Sequence, residues 1–123
     1  MRFMVLVKGD PDPGLRPPSR EAAAAMGRYL DELTRAGVLL AAESLYPVAA
    51  GSRIRFTGRE RTVTDGPFGD PSEVVVDSIL LLQASSRAEA LEWASRCPVD
   101  VTLADDEAAN LEIRQVVEVA NPA

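Results

Sequence analysis

The stretch EVVVDSILLLQ, residues 73–83, decides the fold. Apart from Asp77 and Ser78, its interior is apolar at odd and even positions alike, so a strand built from it has no side to give to water. Such a strand belongs in the middle of a sheet, packed on both faces. One other stretch has the same character. RFMVLVK, residues 2–8, puts Phe3, Val5 and Val7 on one face and Met4 and Leu6 on the other. Two further strands are weaker: VLLAAESLYP at 38–47, ending near Tyr46-Pro47, and LEIRQVVEV at 111–119, which alternates.

Helical patterns separate these strands. After a Pro- and Gly-rich loop, GDPDPGLRPP at 9–18, Ser19 is placed to cap a helix with Glu21 in its first turn. Met26, Tyr29, Leu30 and Leu33 fall at helical spacing, and Gly37 is the expected stop. A second helix opens at Ser86, with Glu89 three residues on in a capping-box pattern. Ala90, Leu91, Ala94 and Cys97 form its buried stripe, Trp93 lies at the edge, and Pro98 ends it. Residues 99–110 are an acidic loop. Residues 52–64 alternate around Thr57-Gly58-Arg59-Glu60, a hairpin signal. With that hairpin set aside as an insertion, the order is β-α-β-β-α-β, an α+β fold of the ferredoxin-like type. That topology places the first and third main strands in the centre of the sheet, which are the two strands apolar on both sides. With no repeat, low-complexity tract or linker, one domain over 1–123 is expected.

Two helices cover only one face of such a sheet. The other face carries Met4, Leu6 and one side of 73–83, more contiguous apolar surface than a monomer leaves to water. The expectation is a homodimer packed sheet to sheet, a dimeric α+β barrel. The alternative is that the hairpin and the 99–110 loop fold back over the face.

Composition narrows the chemistry. The 123 residues include no histidine and one cysteine, Cys97. That excludes an internal disulfide, His-based acid–base catalysis and the usual zinc, copper and haem ligand sets. No cofactor is expected, although a carboxylate-only site for a hard cation stays open. A net charge of −6 argues against binding nucleic acid through its phosphates. No apolar run approaches the roughly 20 residues of a membrane span. The N-terminal apolar stretch reads as a strand rather than a signal, so a cytoplasmic protein without a membrane partner is expected.

The least generic segment is TVTDGPFGDPSE, residues 62–73. Pro67 fixes its own φ and restricts Gly66, which can take angles that other residues cannot. Phe68 can anchor the loop, so Asp65 is held at the end of the hairpin. Asp65 is either the acid of a site or a turn residue bonding nearby backbone N–H groups. Arg53, Arg55, Arg59 and Arg61 crowd nine residues of an otherwise acidic chain. They suit a carboxylate or phosphate ligand, or else guard a solvated hairpin edge. Asp77 lies inside the apolar strand, on the face of Val75, Ile79 and Leu81. There a carboxylate must be paired or protonated, unless the strand starts only at Ser78. Glu43 in the second strand raises the same question. Cys97 reads as core, having no histidine to activate it.

These residues meet a family pattern. The chain resembles the YCII-related family, and within it the DGPF subgroup. The motif stands as TDGPFGDPSE, EALEWASRCP at 89–98 resembles the subgroup's second helix, and MRFMVLVKGD, RAGVLLAAESLYP and LEIRQVVEV resemble its strands. The resemblance implies a dimeric α+β barrel with a cavity between sheet and helices and the motif aspartate, Asp65 here, as the acid near it. Some relatives are lyase-like and use a His-Asp pair; many look like neighbours or partners of alternative sigma factors. This chain has no histidine to supply the first half of that pair. VVVDSI stands where the subgroup usually has paired glycines, so side chains fill space that the glycines would leave open.

Two functions follow as expectations. In the first, a homodimer binds or transforms a small polar or anionic metabolite. Asp65 is then the general acid or base, Arg55 and Arg61 clamp the anion, and Asp77 and Glu43 line the pocket, giving proton transfer in a lyase or isomerase. In the second, a non-catalytic dimeric module presents the arginine hairpin or the acidic 104–107 stretch to a regulatory protein partner. The stiffness of the DGPF turn favours the first.

Overall fold

The computed structural model describes residues 1–10, 19–101 and 108–119. The acidic 104–107 stretch lies outside the described residues. Among those described, the chain runs β1 (Arg2–Gly9), α1 (Arg20–Arg35), β2 (Leu39–Ser44), β3 (Ser52–Thr57), β4 (Glu60–Asp65), β5 (Val75–Gln83), α2 (Arg87–Ser95) and β6 (Leu111–Gln115). Strands β2, β5, β1 and β6 form one antiparallel sheet in that spatial order, while β3 and β4 form a separate two-stranded sheet. This is the ferredoxin-like arrangement with an inserted hairpin. The two strands with apolar residues on both sides, β1 and β5, occupy the centre.

Register explains the core. Phe3 lies opposite Leu82 and Val5 opposite Leu80, and all four side chains are buried on the helix-covered face. Tyr29 and Leu33 come down from α1, and Ala90 and Ala94 from α2. The small alanines let α2 sit close to the sheet, and the Tyr29 hydroxyl ties the helices by donating to the Trp93 carbonyl at 2.7 Å. Burial pushes the Tyr29 phenol well up, so it remains a donor.

The helix ends form as the sequence implies. Ser19 Oγ accepts the Ala22 N–H at 3.0 Å, and Gly37 takes φ +70 just past α1. Ser86 Oγ accepts the Glu89 N–H at 3.1 Å. The capping box is not closed in its usual way, because Glu89 turns to Ser85 and accepts its N–H at 2.9 Å together with its hydroxyl.

Two strands are shorter than their patterns. The ladder of β2 ends at Ser44, although Leu45 N–H still reaches the Asp77 carbonyl at 2.8 Å, and β6 ends at Gln115. A third difference concerns Asp77. Val7 pairs with Ser78 and Lys8 with Val76, so Asp77 is an extra residue in a β-bulge. The bulge breaks the alternation that would have set Asp77 beside Ile79 and Leu81, and it leaves Asp77 exposed. The strand does not start at Ser78 either; it begins at Val75.

The face away from the helices carries Met4 opposite Leu81 and Leu6 opposite Ile79, all half-buried. The hairpin does not lie over it: all six residues of β3 and all six of β4 are exposed. No helix among the described residues is long and apolar enough to cross a membrane.

Candidate functional site

The inserted hairpin is an arm. Gly58, at φ +60, lets Thr57 and Glu60 pair across a two-residue turn. The pairs Ser52–Asp65, Ile54–Val63 and Phe56–Arg61 then share one face; Arg53–Thr64 and Arg55–Thr62 share the other. On the first face Ile54, Phe56 and Val63 are 53%, 64% and 61% exposed, an apolar stripe more than half open among the described residues. Arg61 closes the tip of that stripe, its guanidinium 4.4 Å from the centre of the Phe56 ring.

The DGPF segment fixes the base of this arm. Ser52 Oγ donates to Asp65 Oδ1 at 2.9 Å, and the Gly66 N–H donates to the Gly51 carbonyl at 2.7 Å. Gly66 presses against the carbonyl of Val48, in a 3-10 turn at Val48–Ala50, so closely that any Cβ would collide with it. Its φ is not positive, so the requirement for glycine is steric rather than conformational. Phe68 packs beside Gly51, and Arg53 lies over the Phe68 ring at 4.7 Å. In the following Gly-Asp-Pro, Asp70 accepts the Ser72 N–H at 2.9 Å and its hydroxyl at 2.7 Å, and these bonds hold its carboxyl below the usual range. The whole segment is a stiff corner that sets the direction of the arm.

A crevice of about 130 Å³ lies elsewhere, where β2 and β5 meet α1. Met26, Leu30, Ala42 and Leu80 give it an apolar floor; Glu43, Ser44 and Ser78 are its polar lining. Ser44 and Ser78 face each other across the β2–β5 ladder.

The five residues expected to form a site are therefore divided. Glu43 lines the crevice, and Asp77 adjoins it through Ser78, its carboxylate so close to Gly9 that a Cβ there would run into it. Asp65, Arg55 and Arg61 belong to the arm and do not line the crevice. Arg61 is turned back on its own strand, donating to the Glu60 carbonyl at 3.1 Å as well as stacking on Phe56. Sequence reasoning did not single out Ser44, Ser78 or Ser52. Ser44 follows Glu43 and Ser78 follows Asp77, a signal that takes meaning only once register is known, and nothing local marks Ser52.

Cys97 lies in the core beside a hollow of about 310 Å³ between α2 and β6. Burial, with Asp100 adding to it, pushes the thiol up to about 11, so it stays protonated and unreactive at neutral pH. Among the described residues no three carboxylate or thiol side chains come together as a metal-ligand set.

A family model, that of the YCII-related domain, matches residues 1–118. No curated protein matches the chain.

Proposed function

The chain belongs to the YCII-related family, and we propose that it is a homodimeric, non-catalytic interaction module of the DGPF type. The single observation that carries this reading is the arm. Every paired residue of β3 and β4 is exposed, yet the base is pinned by two hydrogen bonds and a half-buried aromatic ring packed beside Gly51. A protruding hairpin with Arg53 and Arg55 on one face and the Ile54, Phe56 and Val63 stripe on the other suits a protein surface. A pocket for chemistry needs groups that converge on one place, and Asp65 does not meet Glu43 in the crevice.

In this reading the two open sheet faces pack together, and the face bearing Arg53 and Arg55 meets an acidic segment of a regulatory protein. Guanidinium forks bind carboxylates in pairs, which gives such a contact direction as well as charge. Pull-down with the intact chain, and with Arg53, Arg55, Arg59 and Arg61 replaced by serine, tests it. A partner recovered by the intact chain and lost with the variant is expected; equal recovery of every protein by both contradicts the reading.

The crevice favours a second reading. Glu43 with the Ser44 and Ser78 hydroxyls offers one carboxylate and two donor–acceptor groups to a compact polar metabolite. At about 130 Å³ it falls short of the roughly 300 Å³ at which pockets for drug-sized ligands begin. Melting-temperature shifts across a panel of small polar metabolites, lost in Glu43→Gln, would favour this second reading over the first.

A further inference from the structure

We infer that the arm of each protomer clasps a second copy of the chain, burying the Ile54, Phe56 and Val63 stripe against it. The inference rests on the homodimer of the reading above and goes beyond sheet-to-sheet packing, because it gives the apolar side of the arm an occupant.

Area is the first argument. Four strands at about 4.8 Å spacing, with β1 and β5 pairing over eight residues and β2 and β6 over five each at about 3.4 Å per residue, cover on the order of 400 Å². A standard interface takes about 800 Å² from each partner. That flat footprint is about half of this before side-chain relief is added, so surface from the arm brings the contact toward standard size. The arm has such surface to give: three of its side chains are apolar and more than half exposed.

Charge is the second. The arm concentrates Arg53, Arg55, Arg59 and Arg61 in a chain whose net charge is −6. Arg59 at the turn and Arg61 beside the stripe therefore meet an anionic body whenever the arm reaches across to another copy. Opposite signs on arm and body favour that encounter over arm-to-arm or body-to-body contact.

Geometry is the third. A free two-stranded hairpin is marginal in water, and among the described residues this one is exposed along both strands. Its base is held by the Gly66 N–H bond to the Gly51 carbonyl at 2.7 Å and by Phe68 packed beside Gly51. An arm already held in its bound direction loses little freedom on docking.

Sedimentation of the full chain over a dilution series tests this, comparing wild type with Ile54→Ser/Phe56→Ser/Val63→Ser. A wild-type dimer whose dissociation constant rises at least tenfold in the triple variant is the expected result. A dimer equally tight in both overturns the clasp and leaves the sheet-packed dimer standing. Wild type monomeric at every concentration overturns the dimer, and the clasp with it. Should the triple variant lose its fold, a benzophenone side chain at position 56 in mixed light and heavy protein replaces it. Light–heavy cross-linked pairs are expected, and cross-links confined to single chains overturn the clasp.

Discussion

Ser52 and Asp65 stand directly opposite each other at the base of the arm, the serine hydroxyl donating to the carboxylate at 2.9 Å. The aspartate of the DGPF motif therefore closes a hairpin. The bond is solvent-exposed and worth about 1 kcal/mol, but it acts where the chain leaves the body. Asp65→Ala should leave the global melting temperature nearly unchanged and speed hydrogen exchange at the Gly66 amide and along β3 and β4, as local opening does. A change in the melting temperature without faster exchange in the arm would contradict this role.

Two glycines should respond in opposite ways to the same substitution. Gly66→Ala drives a methyl group into the Val48 carbonyl, a backbone group that cannot rotate aside, and should cost about 1–3 kcal/mol in the anchoring of the arm. Gly27, inside α1, has open space around its Cα. Gly27→Ala should stabilise the protein by roughly 0.5–1 kcal/mol through helix propensity. Thermal denaturation gives the sign for Gly27, and exchange along the arm gives it for Gly66.

The tie between the helices gives a third test. Tyr29→Phe removes the hydroxyl that bonds the Trp93 carbonyl at 2.7 Å. That carbonyl still accepts the Arg96 N–H at 3.2 Å, so it is not orphaned. The loss should be about 1 kcal/mol, at the lower end for a buried bond, and urea unfolding should show a lower midpoint with an unchanged slope.

Cys97 makes stability depend on alkali. Its folded-state value is raised from 9.0 to about 11, first by burial and then by Asp100. The folded state holds the thiol proton more tightly than the unfolded chain does. This contribution is fully present below pH 9 and is lost as pH rises through about 11. Melting temperatures over pH 8 to 11 should fall more steeply for the wild type than for Cys97→Ala. Alkylation of the native thiol near pH 8 should be slow and accelerate on unfolding.

Much of the body was legible because it follows from local pattern. Residues 2–8 and 73–83 are apolar on both sides, and that placed them in the centre of the sheet. Ser19, Gly37 and Ser86 mark helix ends by local rules, and the 52–64 alternation marks the hairpin. Features that depend on distant neighbours were not legible. Asp77 was assigned a face by uninterrupted alternation, and one bulge against Lys8 and Val7 removed it. Gly66 looked like a residue chosen for its backbone angles; its actual constraint is Val48, known only once the 3-10 turn is placed. Glu43, Ser44 and Ser78 line one crevice only because Ser44 and Ser78 pair across two strands. The separation of Asp65 from Glu43 has the same origin, since it depends on where the arm leaves the sheet.

Hydrogen exchange along β3 and β4 tests the central claim, that this arm docks on a second copy of the chain, most directly. The purified chain is compared at a concentration high enough for self-association and after extensive dilution. The account predicts that the amides from Arg53 to Phe56 and from Arg61 to Thr64 are protected when concentrated and lose that protection on dilution, while β1 and β5 stay unchanged. Equally fast exchange along the arm at both concentrations would show it bare in the purified chain and contradict the clasp.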